Sequence, residues 1–252
     1  MSAFAYEQLG SGIEVCVSPV HTFGTDAFLL SSFSAPKKHE TACDLGSGCG
    51  IIPLAWMRTP APKKAYAVDI QPLAVEQMQR SLQRSALQGR FVPILADLRA
   101  LRGVLPFGEF DLLTCNPPYN AAQSGISSQS DADRISRHET LCTLDDVCLA
   151  AKQLLRFGGR LCICQLPERL VDLLSSMRAH GVEPKRLRFV QQQANSVPWL
   201  VLVEGKRGAK PFLSLDPPLL LKDQHGNDSP ELAQIYGAYR SSPAPHPPPN
   251  KE

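Results

Sequence analysis

Between Thr41 and Ala55 the chain runs Thr-Ala-Cys-Asp-Leu-Gly-Ser-Gly-Cys-Gly-Ile-Ile-Pro-Leu-Ala, which reads as a short buried strand, a glycine bend and the start of a helix. Gly46, Gly48 and Gly50 fall on alternate positions, so the backbone can turn tightly and approach a ligand where a Cβ would collide or forbid the required φ. A dinucleotide fold prefers G-x-G-x-x-G with a pyrophosphate on the helix N-terminus. Here the spacing is G-x-G-x-G, and Asp44 stands where a phosphate loop would want no negative charge. The ligand expected is one with a cationic end.

The strand-to-helix pattern then repeats along the chain. Ile51 to Met57 continues the first helix; Ala65 to Val68 is a strand ending at Asp69; Pro72 to Leu87 is a helix with Leu73, Met78, Leu82 and Leu87 facing inward. Phe91 to Ala96 is a strand ending at Asp97, and Phe110 to Cys115 is another. Thr143 to Phe157 reads as a helix begun by Thr143, with Asp145 and Asp146 near its positive end and Gly158-Gly159 as its stop. Arg160 to Gln165 is a strand, Pro167 to His180 a helix, and Arg186 to Gln191 with Pro198 to Glu204 a hairpin. Ahead of these units, residues 13 to 18 form a strand after the Gly10-Ser11-Gly12 turn, and Thr25 to Ala35 a helix. Alternating β and α predict a mostly parallel sheet with helices on both faces and ligands at the carboxyl ends of its strands. Residues 1–40 are then an N-terminal strand and helix packing on a core domain of 41–240, and the proline-rich 241–252 is a disordered tail.

The strand ends carry the chemistry. Asp69 can take both hydroxyls of a ribose, and Asp97 can accept from an adenine amino group, although a carboxylate at a strand end is also an ordinary turn or cap residue. After Cys115 comes Asn116-Pro117-Pro118-Tyr119. The prolines end the strand, lacking N–H donors and restricting the residues before them to extended geometry. The Asn116 side chain and the Pro117 carbonyl are two adjacent acceptors that suit an –NH₂ group, and Tyr119 can stack on the flat group carrying it. An ordinary strand-to-loop turn would look the same in isolation. Set beside Asp44, Asp69 and Asp97, the ligand that fits is S-adenosylmethionine, with its ammonium and sulfonium.

With these residues in place, the chain resembles class I S-adenosylmethionine-dependent methyltransferases, and among them the bacterial tRNA1(Val) adenine-N6 methyltransferases. The resemblance rests on Thr22-Phe23-Gly24-Thr25-Asp26-Ala27-Phe28-Leu29-Leu30, Asp44 to Gly50, Val68-Asp69-Ile70-Gln71-Pro72, Asn116 to Tyr119, Arg137-His138-Glu139, Leu219-Leu220-Leu221 and Glu231 to Gly237. It implies a Rossmann-like α/β fold with a mostly parallel seven-stranded sheet and a C-terminal antiparallel hairpin. It further implies S-adenosylmethionine held by Thr25, Asp26, Asp44, Gly46, Gly48, Gly50, Asp69, Ile70, Asp97 and Asn116, and methyl transfer to an adenine N6 of tRNA at Asn116, Pro117 and Tyr119. The chain departs from its relatives at Asp69, where they often carry Glu, and in the Ser- and Gln-rich loop after Tyr119. Glutamine-N5 protein methyltransferases share the glycine loop and Asn-Pro-Pro-Tyr but carry a sizeable helical domain in front. An rRNA or DNA amino-methyltransferase and a non-catalytic RNA-binding module on the same fold remain as alternatives, and the glycine spacing disfavours a nicotinamide dehydrogenase.

Net charge is only +2, but Lys152 to Lys210 holds eleven Lys and Arg against four Asp and Glu. Lys185, Arg186, Arg188, Lys206, Arg207 and Lys210 on and after the hairpin, with Arg134 and Arg137 at the end of the long polar loop, are the candidate RNA phosphate contacts. A solvated sheet edge guarded by charges is the competing reading. That loop, Asn120 to Ser136, is expected to close over substrate; His138 and His21 read as ordinary structural histidines. The eight cysteines include no C-x-x-C, so neither a metal site nor a disulfide framework is expected, and Cys162 and Cys164 read as buried thiols. Without an apolar run of about 20 residues or a charged leader, the expected location is the cytoplasm. Oligomeric state is not settled by the sequence, with a monomer as the default.

Overall fold

The computed structural model describes residues 4–117 and 142–241. Strands Thr41–Leu45 (β3), Lys64–Asp69 (β4), Phe91–Leu95 (β5), Phe110–Cys115 (β6) and Leu155–Gln165 (β7) lie parallel in the order β5-β4-β3-β6-β7. Leu200–Arg207 (β9) then pairs antiparallel with β7 and with Val182–Gln191 (β8), giving the expected seven strands with a hairpin at one side. Two short strands, Ser214–Leu215 (β10) and Leu219–Leu220 (β11), extend the sheet parallel to β8. The chain leaves β3 for β4 and β5 and returns to β6 on the other flank. Loops after β3 and β6 therefore diverge at the carboxyl end, opening a crevice there.

Successive sheet residues point to opposite faces and fill two cores. One takes Ala42, Leu112, Cys162, Cys164, Leu200 and Leu202 against helices Thr25–Ser34 (α1), Ile51–Trp56 (α2), Pro72–Arg84 (α3) and Pro230–Tyr236 (α6). The other takes Cys43, Leu45, Leu113, Ile163, Val201 and Val203 against helices Leu144–Leu154 (α4) and Leu170–Ala179 (α5). Thr143 caps α4 as expected, its hydroxyl accepting from the Asp146 amide while the Asp146 carboxylate accepts from the Thr143 amide.

Three expectations are corrected. Residues before the glycine turn form a strand, Ala5–Gly10 (β1), paired antiparallel with Ile13–Val17 (β2); its polar composition hid it. Buried Gln77 and Ser81 of α3 complete the outer edge of β2: the Gln77 Nε2 donates to the Cys16 carbonyl at 3.0 Å, and the Ser81 Oγ accepts from the Cys16 amide at 2.8 Å. The inward face of α3 is thus partly polar, with Met78 fully buried and Leu73 only half-buried. Finally, α4 stops at Leu154, and Gly158-Gly159 lie inside β7, where its pairing with β6 shifts register. A Cβ on Gly159 would meet the Phe110 carbonyl at 2.8 Å and Gly158 has a φ of +78°, so Gly159 permits close strand approach and Gly158 the left-handed backbone beside it, rather than ending a helix.

Candidate active site

One crevice at the carboxyl end of the sheet is lined by Gly46, Gly48, Asp69, Ile70, Asp97, Asn116 and Pro117, seven residues named from sequence. It is also lined by Gln71, which follows Asp69 in a matched segment, and by Cys142, which returns from the segment after Pro117 and gave no sequence signal. Gly46 and Gly48 adopt φ of +67° and +55°, and nothing lies within 4 Å of where their Cβ atoms would project. That open space beside the backbone is the cradle a ligand needs. Gly50, with φ +83°, serves packing instead: a Cβ there would sit 2.8 Å from Met78 Cγ.

The loop is held from two sides. Gly46 and Ser47 amides donate to the Val68 carbonyl at 2.9 and 3.0 Å, crossing the end of β4. Asp69 accepts from the Gly48 amide on Oδ2 at 2.8 Å and from the Gln71 amide on Oδ1 at 2.9 Å, which fixes its carboxylate at the crevice wall. Asp97 accepts from the Arg99 amide and guanidinium, and these bonds hold its carboxyl below the usual carboxylate range.

Asp44 does not reach the crevice as expected. It is 1% exposed and accepts from Ser47 Oγ and Thr114 Oγ1, each at 2.6 Å, bracing the glycine loop against β6 from beneath. Burial pushes its carboxyl up to about 7, partly offset by those two hydroxyls, with Asp69 adding to the rise.

Asn116 is gripped on both sides. Its Nδ2 donates to Asp26 Oδ2 at 2.9 Å, and its Oδ1 accepts from Cys164 Sγ at 3.0 Å. Thr25 hydrogen-bonds the Tyr236 hydroxyl at 2.7 Å, tying the start of α1 to α6. Tyr119, Arg134, Arg137 and His138 lie outside the described residues.

Among the described residues, the candidate basic contacts are not brought to the crevice. Lys206 faces Arg160 and Glu183, at the amino end of the parallel strands, whereas Asn116 follows Cys115 at their carboxyl end. Arg186 pairs with Glu204 and Asp216 over the Phe33 ring, Arg188 forks onto Glu231, and Arg207 donates to the Leu155 carbonyl. Lys185 donates to the Lys210 carbonyl; Lys206 and Lys210 are exposed. His21, as expected, is structural, its ring between Gln77 and Gln71. Among the described residues no group of His, Cys, Asp and Glu could hold a metal, and no helix is long and apolar enough to cross a membrane.

This sheet order and crevice are those of a class I methyltransferase fold. The structure superimposes on a predicted O-methyltransferase from Agrobacterium tumefaciens with TM-score 0.68 at 18% identity, over 84% of this chain and 96% of that one. It superimposes on M. jannaschii TYW2 in complex with AdoMet with TM-score 0.54 at 15% identity, over 82% and 86%. More narrowly, the chain belongs to the methyltransferase small-domain family, which matches residues 22–169. Among its relatives, the tRNA1(Val) (adenine(37)-N6)-methyltransferase of Shewanella loihica is 32% identical over 163 residues, 62% of this chain and 63% of that protein. That of Haemophilus influenzae is 29% identical over 55% of this chain and 57% of its own, so these two matches span less than two thirds of the relatives' length. That of Porphyromonas gingivalis is 25% identical over 92% of both chains.

Proposed function

We propose that this protein transfers a methyl group from S-adenosylmethionine to the exocyclic N6 amine of an adenine in tRNA, near the anticodon. The observation that carries the reading is the sharing of one crevice by the open glycine loop, the Asp69 and Asp97 carboxylates and Asn116-Pro117. Gly46 and Gly48 offer bare backbone to the cofactor, Asp69 its ribose-binding carboxylate, and Ile70 and Asp97 the walls around an adenine. When bound, S-adenosylmethionine supplies a sulfonium methyl, already activated toward nucleophiles.

The residues of the chain supply the other half of the chemistry. An adenine amine is a poor nucleophile because its lone pair is delocalised into the ring. The Asn116 side-chain oxygen and the Pro117 carbonyl, each accepting one N–H, favour a pyramidal nitrogen and aim its lone pair at the methyl. No strong base is needed beforehand, since the proton leaves after the nitrogen has become acidic. The base must leave its own stack to enter, and Tyr119 follows Pro117 closely enough in sequence to stack on it. Tyr119 and the RNA contacts of Arg134 and Arg137 belong to the proposal on sequence grounds. Exposed Lys206 and Lys210, with Lys185, are left as phosphate contacts for a more distant part of the tRNA, while Arg186, Arg188 and Arg207 act as internal braces. The 25–32% identical relatives named for tRNA adenine-37 support the substrate.

Mass spectrometry of tRNA nucleosides from cells with and without the protein tests the reading. Loss of one N6-methyladenosine is expected; an unchanged nucleoside profile with a newly unmethylated protein glutamine would move the assignment to the glutamine methyltransferases.

A further inference from the structure

Asp26 sits in the first turn of α1, ninety residues before Asn116, and its resemblance to relatives points to the cofactor as its ligand. Its observed partners say otherwise. Oδ1 accepts from the Ala27 amide at 3.0 Å, and Oδ2 accepts from Asn116 Nδ2 at 2.9 Å. Two neighbours build this placement. A Cβ on Gly24 would lie 2.6 Å from Asp26 Oδ1, so the glycine leaves room for the carboxylate, and Thr25 anchors the turn through Tyr236.

On the far side of the amide, the Cys164 thiol donates to Asn116 Oδ1 at 3.0 Å. A carboxylate accepts only and an amide NH₂ donates only, so the reversed amide would set its oxygen against Asp26. The orientation of Asn116 is therefore enforced by charge on one side and by a thiol donor on the other. Oδ1, accepting from Cys164, is thereby held in a fixed direction. Hydrogen bonding of the NH₂ to a carboxylate also shifts amide electron density toward Oδ1, strengthening it as an acceptor. The same negative charge stabilises the positive charge that builds on an amine nitrogen as it gains a fourth bond.

We infer that Asp26 is a positioning residue for methyl transfer, orienting and polarising the Asn116 amide against Cys164, and not a ligand of the cofactor. This deepens the reading of the crevice as an amine methyltransferase site and rests on it. The test uses the full chain with Asp26→Asn, Asp26→Ala and Gly24→Ala. Asp26→Asn can still accept through its amide oxygen but has lost the charge, whereas Asp26→Ala loses both; Gly24→Ala crowds the carboxylate without removing it.

For tRNA methylation, kcat at saturating cofactor is expected to fall roughly 10-fold in Asp26→Asn and up to about 100-fold in Asp26→Ala, while the calorimetric Kd for S-adenosylmethionine stays within about twofold. A purely structural role would not split kcat from cofactor affinity in this way. In parallel, the side-chain amide protons of Asn116, assigned in ¹H–¹⁵N spectra by their loss in Asn116→Asp, are expected to move upfield in Asp26→Ala. Cofactor affinity falling with kcat intact, or Asn116 amide resonances unmoved in the Asp26 variants, would overturn the inference. The spectra need no turnover. Should the wild type methylate no RNA, the substrate assignment fails while the Asp26–Asn116 contact is still decided. If Asp26→Ala does not fold, Asp26→Asn and Gly24→Ala carry the same comparison.

Discussion

In the proposed reaction Asn116 has two demands that conflict in most side chains: it must be held rigidly and yet present an acceptor to a substrate. Asp26 and Cys164 meet the first, and its place in the crevice beside Gly46 and Gly48 meets the second. Asn116→Ala is expected to lower kcat roughly 100- to 1000-fold, as loss of one preorganised transition-state contact does, with cofactor affinity little changed by calorimetry. Asp44 makes a different prediction. Its folded carboxyl titrates at about 7 against 3.8 in the unfolded chain. The folded state therefore binds this proton more tightly, and the stability it contributes is complete below about pH 4 and lost as pH rises through about 7. The difference in melting temperature between wild-type and Asp44→Asn protein without cofactor should change across that window; a constant difference would contradict it. Gly46, Gly48, Asp69 and Asn116 were legible because each sits in a local motif whose backbone demands are visible in a few residues. The burial of Asp44 under its loop depends on Thr114, seventy residues on, and no local pattern announces such a contact.

Helix α3 shows how an element can serve two partners. It packs apolar Ala74, Val75 and Met78 into the core, and its Gln77 and Ser81 side chains, with that of Ser85 just past its end, bond the backbone of β2 in place of a further strand. Replacing Gln77 by Ala removes the side-chain donor to the Cys16 carbonyl and one of the two donors to the His21 carbonyl, which keeps the Ser18 amide, and is expected to cost about 1–3 kcal/mol in denaturant unfolding. Gly50→Ala should cost a similar amount, about 1–3 kcal/mol, because its Cβ would press on Met78 from a left-handed backbone. Period and breaker residues made most helices and the parallel strands readable. They failed for β1, whose Ala-Tyr-Glu-Gln-Leu-Gly lacks alternation, and at the junction of α4 and β7, where Gly158-Gly159 have the composition of a helix stop but Gly159 makes a close strand contact inside β7.

Across the whole molecule, the polarity of the parallel strands separates two surfaces. Their carboxyl ends hold the crevice, and their amino ends hold Lys206, with Lys210 just beyond β9. Sequence could count the surplus of cations but not which of them the fold would pair internally. If tRNA phosphates reach this end, Lys206→Ala with Lys210→Ala should weaken tRNA binding without altering cofactor affinity. It should also flatten the slope of log K against log salt by roughly two. An unchanged slope would assign these lysines to solvent alone. Everything else depends on what the crevice accepts. Purified protein incubated with unmodified tRNA transcripts and S-adenosylmethionine carrying a trideuterated methyl group, with nucleoside mass spectrometry of the product, reads this directly. The predicted result is deuterated N6-methyladenosine at one position, abolished by Asn116→Ala; label on a ring nitrogen, on a ribose or on added protein but not on an adenine amine would contradict it.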